Sequence, residues 1–267
     1  MPVDRYTHGH HRSVLASHIW RTAQNSAGYL LGRLAAGQDL LDVGCGPGTI
    51  TRDLARLVAP GRVVGIDAAP DIVARARSEP NADNLSFEVA DVYRLPFDDA
   101  TFDVVHAHQV LQHLSDPVAA LAEMHRVLRP GGIVAVRDGD YAGFTWAPRD
   151  PALDRWVELY HQVTARNGGE ADAGRFLLGW VRAAGFGDPV MTSSTWTFAD
   201  PESRAWWGGL WAERVELSAF AVQAIEEGMS DPIELAEIAR AFRRWADHPD
   251  ATFVTPHGEV VATKAPG

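Results

Sequence analysis

The sequence predicts an α/β fold built on a parallel sheet, and three observations carry that prediction. Residues 40–58 read as a strand, a glycine turn and a helix: Leu40-Leu41-Asp42-Val43, then Gly44-Cys45-Gly46-Pro47-Gly48, then Ile50, Leu54, Leu57 and Val58 at helical spacing. Short apolar runs alternate with helical patterns from there to about residue 137. Three successive runs end at or beside a carboxylate: Asp42, Asp67 and Asp91.

Composition narrows the class. At 267 residues the chain suits one large α/β domain with a modest lobe attached. Apolar residues make up 46% and charged ones 22%, as in ordinary globular proteins. A formal charge of −11 argues against a nucleic-acid partner, because phosphate binding needs basic surface. The single cysteine, Cys45, excludes an internal disulfide and fits a reducing cytoplasmic setting. No segment approaches the ~18 continuous apolar residues of a membrane span. The polar, His-rich start lacks a signal-peptide layout.

The elements follow in order. Residues 1–37 precede the first strand, with a helix expected from about Ser13 to Leu34 and Gly37 as its stop. His8, His10 and His11 cluster ahead of it, but no Cys or acid nearby completes a zinc ligand set, so no metal is expected. The segment reads as a flexible tail or as a lid.

The glycine turn decides the ligand class. Glycine serves where the backbone takes positive φ or lies against a ligand, and a glycine turn opening a helix suits nucleotide-like ligands. The dinucleotide fingerprint G-x-G-x-x-G needs its third glycine at 49, where this chain has Thr49. An acid two residues before Gly44 suits a ligand bearing an ammonium group, not a pyrophosphate. The stretch Asp42-x-Gly44-x-Gly46-x-Gly48 resembles motif I of the class I S-adenosylmethionine (SAM)-dependent methyltransferases. The resemblance implies that Asp42, Gly44, Cys45 and Gly46 surround the methionine moiety of SAM. Tyr6 is then the expected lid contact, and Arg21 and Thr22 are weaker candidates for the methionine carboxylate.

Val63–Asp67 is the second strand, and Asp67 lies 23 residues after Gly44, the separation at which an acid takes ribose hydroxyls. Ala68 follows it in the site, and Asp71 is the expected cap of the helix from Pro70. Leu85–Val89 is the third strand, after which the resemblance places Asp91 on the adenine amino group and the Val92 N–H on a ring nitrogen. Phe102–His106 is the fourth. The resemblance then implies that a carbonyl near Ala107 binds the SAM ammonium and that residues 107–114 pass beneath the methyl group. Asp116-Pro117 starts a helix, and Arg126–Gly132 reads as a tight structural turn before the fifth strand at 133–136.

The resemblance covers residues 38–137, with five strands and four helices, and is similar to the ubiquinone/menaquinone biosynthesis methyltransferases. It implies a Rossmann-like, doubly wound, seven-stranded, mostly parallel sheet whose last strand is antiparallel. Residues 1–37 would form an N-terminal helical lid, 38–200 and 248–267 the SAM-binding domain, and 201–247 a helical cap insertion. Strands are expected at 190–198 and at 253–263, the latter interrupted at Pro256-His257-Gly258. Met191 and Trp196 are assigned to sheet core. Trp206, Trp207 and Trp211 either pack the cap or line an apolar substrate pocket.

The implied reaction carries a methyl from SAM to a small, apolar or aromatic metabolite, at oxygen or carbon. The protein must align donor and acceptor and exclude water. His108 and His113 are the candidate catalytic residues, since imidazole titrates in the useful range; Tyr6 or the lid histidines are alternatives. A SAM-binding protein without transfer is the rival reading, and a nicotinamide oxidoreductase a distant third. The expected partner is a small acceptor, with the chain a monomer or homodimer.

Overall fold

The computed structural model describes Tyr6, Thr7, Gly9 and residues 11–266. Three short helices open it: α1 (Arg12–Ile19), α2 (Ala23–Ser26) and α3 (Gly28–Leu31). The alternating part follows as β1 (Leu40–Val43), α4 (Thr49–Val58), β2 (Val63–Asp67), α5 (Pro70–Ser78), β3 (Leu85–Val89), β4 (Phe102–His108), α6 (Pro117–Val127) and β5 (Leu128–Gly139). The last part comprises β6 (Thr145–Ala147), α7 (Pro151–Arg166), α8 (Ala173–Ala183), β7 (Gly187–Phe198), α9 (Pro201–Leu217), α10 (Ala219–Glu226), α11 (Pro232–Asp247) and β8 (Thr252–Thr263).

The sheet runs β3-β2-β1-β4-β5-β8, with β1 to β5 parallel. β8 returns antiparallel to β5 and pairs antiparallel with β7 and β6. Alternation in the central strands explains the layering. Leu40, Val63 and Val104 point to one face and pack on α4, whereas Leu41, Val64 and Val105 point to the other and pack on α6 and α8. Buried on both faces, these strands are nearly continuous apolar runs. A separate core is aromatic and joins α7, α9, α10 and α11 around Trp156, Trp211, Phe242 and Phe253.

Several expectations are corrected. The long N-terminal helix is broken at Trp20–Thr22 because Thr22 and Asn25 form a reciprocal capping box that restarts the chain as α2. No helix joins β3 to β4; residues 90–101 are irregular, so the 38–137 region holds three α-helices, not four. Asp71 lies in the first turn of α5, whose N-cap is Ala69. β4 continues to His108, and β5 begins directly after α6, at Leu128. β6 adds an eighth strand, and the expected 201–227 helix divides at Ser218.

β8 runs unbroken through Pro256-His257-Gly258, where an interruption was expected. Gly258 is there for a close helix approach: a Cβ on it would lie 2.0 Å from the Gly174 carbonyl oxygen of α8. Gly258→Ala should therefore push α8 off the sheet and cost at least about 2–3 kcal/mol, like other overpacking changes. Urea denaturation measures this, and a loss under about 0.5 kcal/mol, the range of neutral surface changes, would refute it.

Candidate active site

A cavity of about 800 Å³ opens at the carboxyl ends of β1, β2 and β4, within the usual range for small-molecule sites. One end is formed by Asp42–Gly46, Asp67–Ala69 and Asp91–Tyr93. The other is aromatic, with Tyr141, Phe144, Trp196, Trp206, Trp207 and Trp211. Tyr6, Ser17, His18, Trp20 and Arg21 close it from the N-terminal side.

The strand tips hold the expected residues. Gly44 and Gly46 both take positive φ, at 67° and 55°. A Cβ on Gly44 would meet Val110 Cγ2 at 2.3 Å, whereas one on Gly46 would face only His18 Nδ1 at 3.6 Å, so Gly46 leaves its side of the turn open. Asp67 accepts from the Gly46 and Ala69 N–H groups at 3.1 and 3.0 Å. These bonds fix its carboxylate at the cavity wall. Asp91, exposed at the rim, accepts from the Tyr93 N–H. Val92 and Ala68 line the same end, as does Cys45, whose thiol burial pushes its pKa well up.

Two placements differ from the expectation. Asp42 lines the cavity, but its oxygens already take donors, Thr51 Oγ1 at 2.5 Å and His106 Nδ1 at 2.7 Å. It ties the glycine turn to α4 and β4. Ala107 is not brought to the cavity wall: it sits inside β4, buried, between Val43 and Val136. The chain reaches the cavity at His108, Gln109 and Val110 instead, because β4 is longer than its apolar run suggests.

His108 is the better placed of the two candidate catalytic residues. Both ring nitrogens are buried without a hydrogen-bond partner among the described residues, and the ring lies beside Trp196 and His257. Burial, together with Arg21, Arg137 and His257, holds its pKa well below 6.5, so it is neutral at pH 7. His113 faces the cavity with Nε2 3.1 Å from Gln112 Nε2 and the Tyr6 ring edge-on at 4.7 Å. Burial pushes the Tyr6 phenol up to about 12.

Gln109 lies in the 107–114 segment expected at the site and lines the cavity, but its particular contacts are not announced by the sequence. Its φ of 54° is unusual for a side-chain-bearing residue and sits where strain often marks a site. Its Oε1 accepts from Arg21, which orients the amide so that Nε2 donates to His257 Nε2. His257 Nδ1 must then carry the proton, given to the Thr255 carbonyl. His257 is likewise held neutral by burial and by the nearby arginines. Nothing in the local sequence signals this bridge, since its ends are 148 residues apart.

Arg21 reaches the cavity, over the Trp196 ring at 5.6 Å, with burial lowering its pKa to about 10. Thr22 does not; it caps α2. Trp196 is a cavity wall and not merely sheet core, and its Nε1 donates to the Asn25 carbonyl. Met191 is exposed on β7. Trp207 and Trp211 serve both roles left open, packing the aromatic core and lining the cavity. His8 and His10 lie outside the described residues, and His11 caps α1 by accepting from the Ser13 N–H.

Asp138 lies just behind the site. One oxygen accepts from the Gln112 N–H; the other is buried without a partner among the described residues. Burial raises its pKa from 3.8 to about 7. The folded state thus holds a proton that the unfolded state releases, so stability falls as pH rises from about 4 through 7. A rise of that size corresponds to about 4 kcal/mol. Asp138→Asn should escape that penalty and gain about 1–3 kcal/mol at pH 8, after the cost of an imperfectly bonded amide, with the gain fading towards pH 5. Urea unfolding at both pH values checks this; equal differences would refute it.

The geometry is that of an enzyme site at the strand tips of a doubly wound sheet. Residues 41–136 match the Methyltransferase domain family. An uncharacterized methyltransferase of Schizosaccharomyces pombe is 33% identical over 98% of both chains. The 2-phytyl-1,4-naphtoquinone methyltransferase of Thermosynechococcus vestitus is 35% identical over 62% of this chain and 72% of its own. The YcgJ protein of Bacillus subtilis shares the fold, with a TM-score of 0.60 at 19% identity over 91% of this chain and all of that one. The chain belongs to the class I SAM-dependent methyltransferases. It is an enzyme of the Rossmann-like fold, and no helix among the described residues is long and apolar enough to cross a membrane.

Proposed function

We propose that this methyltransferase transfers a methyl group from SAM to a small aromatic or apolar metabolite, at oxygen or carbon. One observation carries the reading: a single cavity joins the acid-bearing strand tips to a tryptophan-lined chamber, with neutral His108 facing it. Donor and acceptor can therefore meet without water between them. The name of the quinone-methylating relative supports an aromatic or quinoid acceptor.

The donor set fits SAM. Asp67 would take the ribose hydroxyls, Asp91 and the Val92 N–H the adenine, and the open face of Gly46 would seat the methionine moiety. Arg21 would take the methionine carboxylate. Bound there, SAM supplies an electrophilic methyl on a sulfonium. His108 accepts the acceptor's proton, which a neutral imidazole can do and an imidazolium cannot. The described residues of the 1–37 segment serve as a lid, with Tyr6 closing on His113, and residues 201–247 as the cap that holds the acceptor.

Calorimetric titration with SAM, S-adenosylhomocysteine and NAD tests the reading. Micromolar-range binding of the first two and none of NAD is expected, followed by homocysteine-product release with phenolic or quinoid acceptors. A folded protein that binds neither SAM nor its product overturns it.

A further inference from the structure

The cavity sorts its charges. Its carboxylates, Asp42, Asp67 and Asp91, all stand at the strand tips. Among the described residues its only Lys or Arg side chains are Arg21 and Arg214, in a chain of net charge −11. Neither makes an ion pair among the described residues, whereas the buried Arg137 meets Glu259.

Arg214 is the more telling of the two. It is 4% exposed, and its guanidinium lies 4.4 Å from the centre of the Trp211 ring. Nη2 donates to the Ser13 carbonyl and to Ser17 Oγ. Nε is buried with no partner, and Nη1 makes no hydrogen bond among the described residues. Burial lowers its pKa, and the groups that bear on its charge are Arg21 and the phenols of Tyr141, Tyr6 and Tyr160, the phenols pushed up by burial and so neutral. A guanidinium placed against an aromatic wall, with donors unspent and no carboxylate beside it, is costly to bury unless an anion arrives. The unspent Nε–H and Nη1–H can each donate a charge-assisted hydrogen bond to a carboxylate or phenolate oxygen.

We infer that the methyl acceptor is an aromatic acid, a ring bearing a carboxylate or an acidic phenol, whose anionic group sits on Arg214 with the ring against Trp211. This rests on the methyltransferase reading above and names its substrate class. Arg21 is left for the cofactor carboxylate, so the two guanidiniums take one anion each.

The tryptophans on the wall provide a binding signal that needs no turnover. With S-adenosylhomocysteine present, 2-naphthoate and its neutral isostere 2-naphthamide would be titrated against tryptophan fluorescence. The acid is expected to bind at least tenfold more tightly. Arg214→Met, which keeps the volume and removes the charge, should abolish that preference, and Arg214→Lys should restore part of it. A purely structural role for Arg214 as a tie to α1 would move both compounds alike. Equal binding of acid and amide by the unaltered protein, or binding of neither, overturns the inference without any variant, as does a preference that survives in Arg214→Met. Failure of S-adenosylhomocysteine to bind would instead strike the methyltransferase reading itself.

Discussion

Asp67→Ala should weaken SAM binding by about 10²–10⁴-fold while leaving the fold intact. Two hydroxyl donors on one carboxylate are charge-assisted hydrogen bonds worth about 1.5–3 kcal/mol each, and each 1.4 kcal/mol is tenfold. The carboxylate also holds the Gly46 and Ala69 N–H groups, so its loss loosens the glycine turn as well. The thermal midpoint without ligand should change little, because Asp67 is only partly buried and its partners can turn to water. Asp67→Asn, which keeps one acceptor oxygen, should fall between. Calorimetry with S-adenosylhomocysteine reads the effect, and an affinity within threefold of the unaltered protein would remove Asp67 from the site.

His108→Phe should lower kcat by about 10²–10⁴, the range for a positioned acid–base group, with S-adenosylhomocysteine affinity nearly unchanged. Phenylalanine suits the slot between Trp196 and His257, so the loss reports on the imidazole nitrogens and not on packing. The pH profile gives an independent check. A histidine exposed to water would lose base activity as pH fell through about 6.5. Burial and the nearby cations hold His108 neutral well below that, so kcat/KM should stay level from pH 8 to 6. Full activity in His108→Phe would point to His113 or Tyr6 instead, and an acidic limb centred near 6.5 would remove His108 as the base. The lowered pKa also has a stability consequence of defined sign. The unfolded chain protonates His108 and His257 below 6.5 and the folded chain does not, so together they destabilise the fold as pH drops. Each accounts for up to about 1.4 kcal/mol per pH unit, offset in part by the proton on Asp138. His108→Phe should make the acid limb of the stability curve shallower.

Much of the strand-tip end of the cavity was legible in the sequence because its determinants are local. Apolar runs of four or five residues, the glycines between Asp42 and Thr49, and the spacing to Asp67 are read along a few turns of chain. Each places a backbone feature that depends little on the rest of the fold. Ala107 shows the limit: the strand's end was set by pairing with β1 and β5, so the residue reaching the cavity lies one place later. The aromatic end was less legible. In the sequence Arg21 reads as a partner for the cofactor carboxylate and Trp196 as sheet core, while nothing local marks the Gln109 side chain, His257 or Arg214. No periodicity marks them.

Local pattern therefore dictates the parallel sheet, its glycine turn, the three acids at the strand tips and the methyltransferase class they imply. What stands opposite them comes from long-range packing. The Gln109 bridge to His257, the return of β8 beneath α8 and the folding of α9 over the N-terminal helix join side chains far apart in the chain, the first pair by 148 residues. Whether a buried histidine is neutral, or a guanidinium unpaired, depends on which groups arrive around it. Such desolvation and charge neighbourhoods form only when distant segments meet, and no stretch of sequence encodes them by itself.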